Sequence, residues 1–128
     1  MILAANTNPS INDITAAELA PLVQQAGALD PGVLGPAAAS GQLLVMANGT
    51  GTPVIDLRRI SRELCRAAEG ADLVVLEGMG RGIETNLRAA FACDAVCLGL
   101  IKHPEVAQCL QGRMYDVVCR YQPAPQAR

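Results

Sequence analysis

Aromatic side chains are nearly missing from this sequence: its 128 residues hold no Trp, one Phe and two Tyr. A core of stacked rings is excluded, so Ala, Val, Leu and Ile must fill the interior. Hydrophobic residues make up 51% of the chain, enough for a core at this length. Basic residues are absent from Met1 to Leu57, a stretch that carries Asp13, Glu18, Asp30 and Asp56. The formal charge is −2, and the clustered Lys and Arg that hold a phosphate backbone are lacking, so no nucleic acid partner is expected. Long apolar runs are lacking too. None approaches the ~18 residues of a membrane span, and no basic stretch of a secretory leader opens the chain, so no membrane partner is expected. Cys65, Cys93, Cys97, Cys109 and Cys119 contain no C-x-x-C pair and fall in apolar strings. They are expected to be reduced, buried thiols in a soluble, cytoplasmic protein.

What is present alternates between strand-like and helix-like segments. "MILAA" (1–5) reads as a buried strand. Thr15 with Glu18 three residues later is a capping box, which predicts a helix from about Ala16 to Ala26 that Pro21 should kink or shorten. Residues 27–41 read as loop from their Gly, Pro and Ser content. "QLLVMA" (42–47) is a strand, and Asp56 caps a predicted helix over 57–69, where Leu57, Ile60, Leu64 and Ala68 recur at helical spacing. A strand at 71–77, a glycine loop, a short helix at 83–91 and a strand at 95–101 follow. Pro104 and Gly112 bracket a helix, and 114–121 is the last strand. Residues 122–128 read as a disordered tail. One α/β domain over 1–121 is expected, with a mostly parallel, doubly wound, Rossmann-like sheet and helices on both faces.

In such sheets ligands bind beyond the carboxyl ends of the strands, which selects four loops: 6–13, 48–53, 77–84 and 102–103. Gly78, Gly80 and Gly82 let backbone N–H groups approach an oxyanion, and Arg81 adds a charged fork. A plain glycine-rich turn with solvated charges fits the same residues equally well. Lys102 is the chain's one Lys against nine Arg, placed where an ammonium could enter the same crevice; a surface position is the ordinary alternative. His103, the one His, reads more readily as a strand-end residue than as a base. Asn12 and Asp13 precede a helix, where a cap is one reading and a hard-cation ligand at Asp13 the other.

"LEGMGRGIETN", "PSINDIT", "PVIDL" and "LIKHPEVAQCLQGRMYDVV" together resemble the carboxyl-terminal part of the metal-dependent damage-control phosphatases. The resemblance runs from about Ile2 to Tyr121, and is to the subfamily with an E-G-M-G-R motif. That subfamily includes plant phosphatases and the domain fused to pantothenate kinase-like proteins. The resemblance implies hydrolysis of phosphomonoesters, with 4′-phosphopantetheine and its oxidised forms as substrates and a divalent metal of the Mn, Co, Ni or Mg type as cofactor. It implies Asp13 as a metal ligand, and Asp13, Arg81 and Lys102 as catalytic residues gathered on one anionic group. Glu77, Gly78, Met79, Gly80, Arg81, Glu84, Asn86, Asn48 and Lys102 become candidate substrate contacts.

One departure stands against these agreements. The family takes two further metal ligands from an Asp-Asn pair ahead of the first strand, and no Asp-Asn dipeptide occurs in these 128 residues. A fragment or degenerate copy with weak or no activity is therefore expected. A phosphate-ligand binding module without catalysis is the alternative. A Rossmann-like nucleotide-binding protein is the weaker one, since Ile83 stands where the third glycine of the dinucleotide fingerprint belongs.

Overall fold

The computed structural model of the chain describes residues 1–125. Strands and helices alternate to give a mixed α/β fold with parallel strand pairs, as expected. Where length alone suggests one domain, the chain divides into two compact units, Met1–Glu69 and a second from Gly70 onward.

In the first unit β1 (Ile2–Ala5) pairs in parallel with β2 (Leu44–Ala47). Between them α1 (Ala16–Leu29) packs on both strands and on α2 (Leu34–Ala39). The capping box forms as predicted: Glu18 N–H donates to Thr15 Oγ1, and Thr15 N–H donates to Glu18 Oε2 at 2.9 Å. Pro21 lies inside α1, yet the helix runs on to Leu29, three residues past its expected end. The supposed loop at 27–41 thus holds the end of α1 and all of α2. Glycine makes this possible, because a Cβ on Gly35 would stand 2.8 Å from the Gly27 carbonyl oxygen. Close backbone approach lets the two short segments fold back on each other.

The helix expected over 57–69 is broken in two. Asp56 caps a single 3-10 turn, Leu57–Arg59, and α3 begins only at Arg62–Ala67. Ser61 N–H donates to the Asn48 carbonyl instead of continuing the helix, and the Ser61 hydroxyl caps the new start by accepting from Leu64 N–H. The spacing of apolar residues survives the break, but the hydrogen-bond ladder does not. Arg58 side-chain hydrogen bonds hold the Asp56 carboxyl at about 2.

In the second unit the order is β3-β4-β5: β3 (Leu73–Glu77) runs parallel to β4 (Asp94–Leu100), and β5 (Val117–Gln122) is antiparallel to β4. No α-helix forms at 83–91. A π-helical segment, Met79–Glu84, packs on β3 and β4 and buries Ile83, whose side chain lies against Gly99 of β4. The opposite face, expected to lie under helices, presents exposed Leu73, Val75, Leu100, Val117 and Tyr121. Among the described residues of this unit the α-helix present is the six-residue α4 (Pro104–Cys109), too short to cover a sheet. Gly112 N–H returns to the Ala107 carbonyl and ends α4, as Pro104 and Gly112 predict.

The expected tail is in part structured: Gln122 belongs to β5, and Ala124 N–H donates to Asp94 Oδ1 at 2.8 Å. That bond, with one from the Tyr121 hydroxyl, holds the Asp94 carboxyl below its usual range. The tail at 126–128 lies outside the described residues. The thiols also correct expectation, since Cys97 is buried while Cys65, Cys109 and Cys119 are exposed. Among the described residues no helix is long and apolar enough to cross a membrane.

The capping box yields a test with a defined sign. Thr15→Ala should lower the chain's stability by about 1 kcal/mol in urea unfolding followed by circular dichroism. The Thr15 N–H, and secondly its hydroxyl, hold the Glu18 carboxyl below the usual glutamate range. Its contribution is therefore complete above the unfolded-state value and lost as pH falls through the lowered folded-state value. Glu18→Gln should abolish that acid-side slope.

Candidate functional site

Each parallel strand pair ends at one sheet edge, so the segments that follow its strands lie side by side. In the first unit both strands end in Ala followed by Asn. Asn6 and Asn48 are 0% and 1% exposed. Asn48 Nδ2 donates to Asn6 Oδ1 at 3.0 Å, and Asn48 Oδ1 accepts from the Thr50 N–H at 2.8 Å and from the Thr50 hydroxyl. Thr7 N–H donates to the Thr50 carbonyl at 2.7 Å, while Thr7 Oγ1 accepts from Gly49 N–H. Buried amides are costly unless bonded, and here they lock the two loops together. Asn48, assigned to the substrate pocket from sequence, is buried with its amide engaged inside the protein. It joins the loop after β2 to the loop after β1.

Asp13 sits on the return of the first loop. Asn6 N–H donates to the Ile14 carbonyl and Ala16 N–H donates to the Asn6 carbonyl, so the loop closes on the buried asparagine. Ile11 holds a φ of +52°, a strained conformation for a β-branched residue, and Asp13 N–H turns back to Ser10. Thr15, and neither Asn12 nor Asp13, is the helix cap. Half-buried Asp13 lines an open hollow of about 410 Å³ with Pro9, Ile11, Asn12, Ile14 and Glu18.

The second unit gathers Glu77, Gly78, Met79, Gly80, Arg81, Glu84, Asn86 and Lys102 around the ends of β3 and β4. Gly78 N–H donates across to the Leu98 carbonyl at 2.9 Å, and Gly82 N–H donates to the Gly78 carbonyl at 2.8 Å. Gly78 needs its φ of +115°, and a Cβ on Gly82 would lie 2.7 Å from the Leu76 carbonyl oxygen. Asn86, 6% exposed, donates through Nδ2 to the Arg81 carbonyl at 2.8 Å, and the Thr85 hydroxyl donates to the Gly80 carbonyl. The Cys97 thiol, its pKa raised by burial, donates to the Asn86 carbonyl. Asn86 thus shapes the backbone that carries Arg81. Lys102 is exposed just beyond β4, and its N–H donates to Met79 Sδ at 3.1 Å. His103 Nδ1 lies 3.7 Å from Glu84 Oε1, an ion pair when the imidazole is protonated. The α-helix expected at 83–91 does not follow the glycines: the π-helical segment Met79–Glu84 runs through them, and turns follow at 85–88.

The donor set does not complete a divalent-ion site by itself. Among the described residues no three His, Cys, Asp or Glu side chains gather to hold one. Glu18, the other carboxylate of the Asp13 hollow, is engaged by Thr15. Asp13 can supply one carboxylate ligand, so the rest of an ion's shell would have to come from water, phosphate oxygens or other protein groups.

Asn6, Thr7 and Thr50 were missed from sequence, although the Ala-Asn ending shared by both strands was a usable signal. Thr85 was missed as well.

Residues 1–118 match the model of the damage-control phosphatase ARMT1-like domain. A damage-control phosphatase of Arabidopsis thaliana is 49% identical over 94% of this chain and 32% of its own length. Pantothenate kinase 2 of the same plant is 41% identical over 96% of this chain and 16% of its own. The 4′-phosphopantetheine phosphatase of Mus musculus is 26% identical over 95% of this chain and 21% of its own. The crystal structure of a DUF89 family protein from Pyrococcus horikoshii superposes with a TM-score of 0.66 at 25% identity, covering 92% of this chain and 35% of that one. The chain therefore spans about a third of the plant phosphatase and less of the other two relatives.

Two glycine substitutions separate the two causes that shape the Gly78–Gly82 turn. Gly82→Ala drives a Cβ into main chain and should cost about 1–3 kcal/mol through overpacking. Gly78→Ala meets no atom within 4 Å, so its cost of about 1–3 kcal/mol should come from backbone strain alone. Unfolding measurements give both values, and crystal structures or amide chemical shifts should show displaced neighbours only for Gly82→Ala.

Proposed function

Because the chain belongs to the damage-control phosphatase ARMT1-like family, a family of metal-dependent phosphatases, we propose that it carries the phosphate-gripping part of a phosphomonoester hydrolase. The proposed substrates are 4′-phosphopantetheine, its oxidised forms and related phosphometabolites. The observation that carries this reading is the joined edge of β3 and β4. There a glycine-built turn presenting Arg81 is bonded through Met79 to the backbone of Lys102.

Phosphoryl transfer is promoted mainly by positioning and by neutralising charge on the equatorial oxygens. Arg81 offers a planar fork for two of those oxygens, and Lys102 a compact charge for a third. Glu77 or Glu84 would orient Arg81 or a water. The divalent ion of the family, of the Mn, Co, Ni or Mg type, would supply Lewis-acid chemistry when bound; Asp13 is the proposed ligand from this chain. The matches to pantothenate kinase 2 from two plants support an association with a kinase-like domain, and a cytoplasmic location is part of the same reading.

A second reading rests on the missing cluster of three ligating side chains among the described residues. By it the 128 residues alone bind a phosphorylated ligand without turning it over. Phosphopantetheine would then bind, and no metal would stimulate phosphate release.

The test uses a protein of the relatives' full length that contains this sequence. Arg81→Ala and Lys102→Ala should each lower the release of inorganic phosphate from 4′-phosphopantetheine by about 100-fold or more, measured with each of the four metals. Near-normal turnover in either variant rejects its assigned role.

A further inference from the structure

Ile101, 1% exposed, is held from both sides: its N–H donates to the Asp116 carbonyl and its carbonyl accepts from Tyr115 N–H. From His103 onward the chain is held again, because the His103 carbonyl accepts from Ala107 N–H in α4. Lys102 stands between these fixed points, and its N–H donates to Met79 Sδ at 3.1 Å. Met79 belongs to the turn that presents Arg81, two residues further on. A thioether is a weak acceptor, and a half-buried apolar position is filled as well by Leu. The unbranched side chain of Met, however, reaches across a gap with a polarisable acceptor at its middle.

We propose that Met79 is a positioning residue: its sulfur sets the backbone of Lys102, so that the ammonium of Lys102 and the guanidinium of Arg81 are presented as one unit. This rests on the phosphate-gripping reading above for its purpose, though not for its geometry. The sulfur touches no substrate in this role. It acts through Lys102, and the turn after β3 thereby fixes a charge that belongs to the segment after β4.

Two substitutions in the 128-residue chain separate the acceptor from the bulk. Met79→Leu keeps apolar volume and removes the acceptor. Met79→Gln returns one, as an amide oxygen at similar reach. Hydrogen exchange at the Lys102 amide, read by NMR without ligand, should quicken by about two- to tenfold in Met79→Leu, the range of one net hydrogen bond. It should recover in Met79→Gln, with amides of β4 as the internal control of folding. Titration with inorganic phosphate should show weaker binding for Met79→Leu, recovery for Met79→Gln, and no further loss when Met79→Leu is added to Lys102→Ala. Unchanged Lys102 exchange in Met79→Leu overturns the proposal, as does an equal loss in Leu and Gln variants whose β4 amides stay protected. A wild-type chain that binds no phosphate, while its Lys102 exchange follows the residue at 79, overturns the phosphate reading and supports the positioning role.

Discussion

The hydrogen bond from Gly78 N–H to the Leu98 carbonyl is the contact on which the second unit's site depends. It continues the parallel ladder one step past Glu77, where the strand geometry has already given way to a positive φ. The turn that follows is thereby tied to β4 before it leaves the sheet. Gly82 passes close under the Leu76 carbonyl, and a Cβ on Gly99 would lie 2.6 Å from Ile83 Cδ1, so the π-helical segment fits only because it lacks a side chain at Gly82 and β4 lacks one at Gly99. Arg81 inherits its place from these backbone contacts and from Asn86.

Local chemistry was legible in the sequence and distant capture was not. Thr15 with Glu18, and Pro104 with Gly112, act within one or two helical turns, and their predicted roles appear in the structure. The helix over 57–69 carries the right apolar spacing but loses its continuity at Ser61, because the carbonyl that captures the Ser61 N–H belongs to Asn48. Asn6 and Asn48, 42 residues apart, meet only once β1 and β2 have paired. The burial of Asn48 beside Asn6 could therefore not be read from either segment alone. The E-G-M-G-R residues were legible as a turn after a strand, while the π-helical path was not, since it follows from what a Cβ at Gly82 or Gly99 would strike.

The comparisons and the geometry carry different parts of the reading. Family membership follows from a match over 118 residues, and the fold from a superposition covering most of the chain. Among the described residues no three His, Cys, Asp or Glu side chains cluster, and the sequence holds no Asp-Asn dipeptide. On the proposed reading, grip and metal chemistry fall to different residues: Arg81 and Lys102 belong to segments bonded through Met79, while Asp13 is the one carboxylate proposed for the ion.

Leu73, Val75, Leu100, Val117 and Tyr121 share one side of a three-stranded sheet whose outer strand β3 has an unpaired edge within that sheet. Water is a poor neighbour for such a surface, and an open edge offers main-chain groups to any strand that drifts past. A surface of this kind favours self-association as concentration rises, independently of how well the interior is packed.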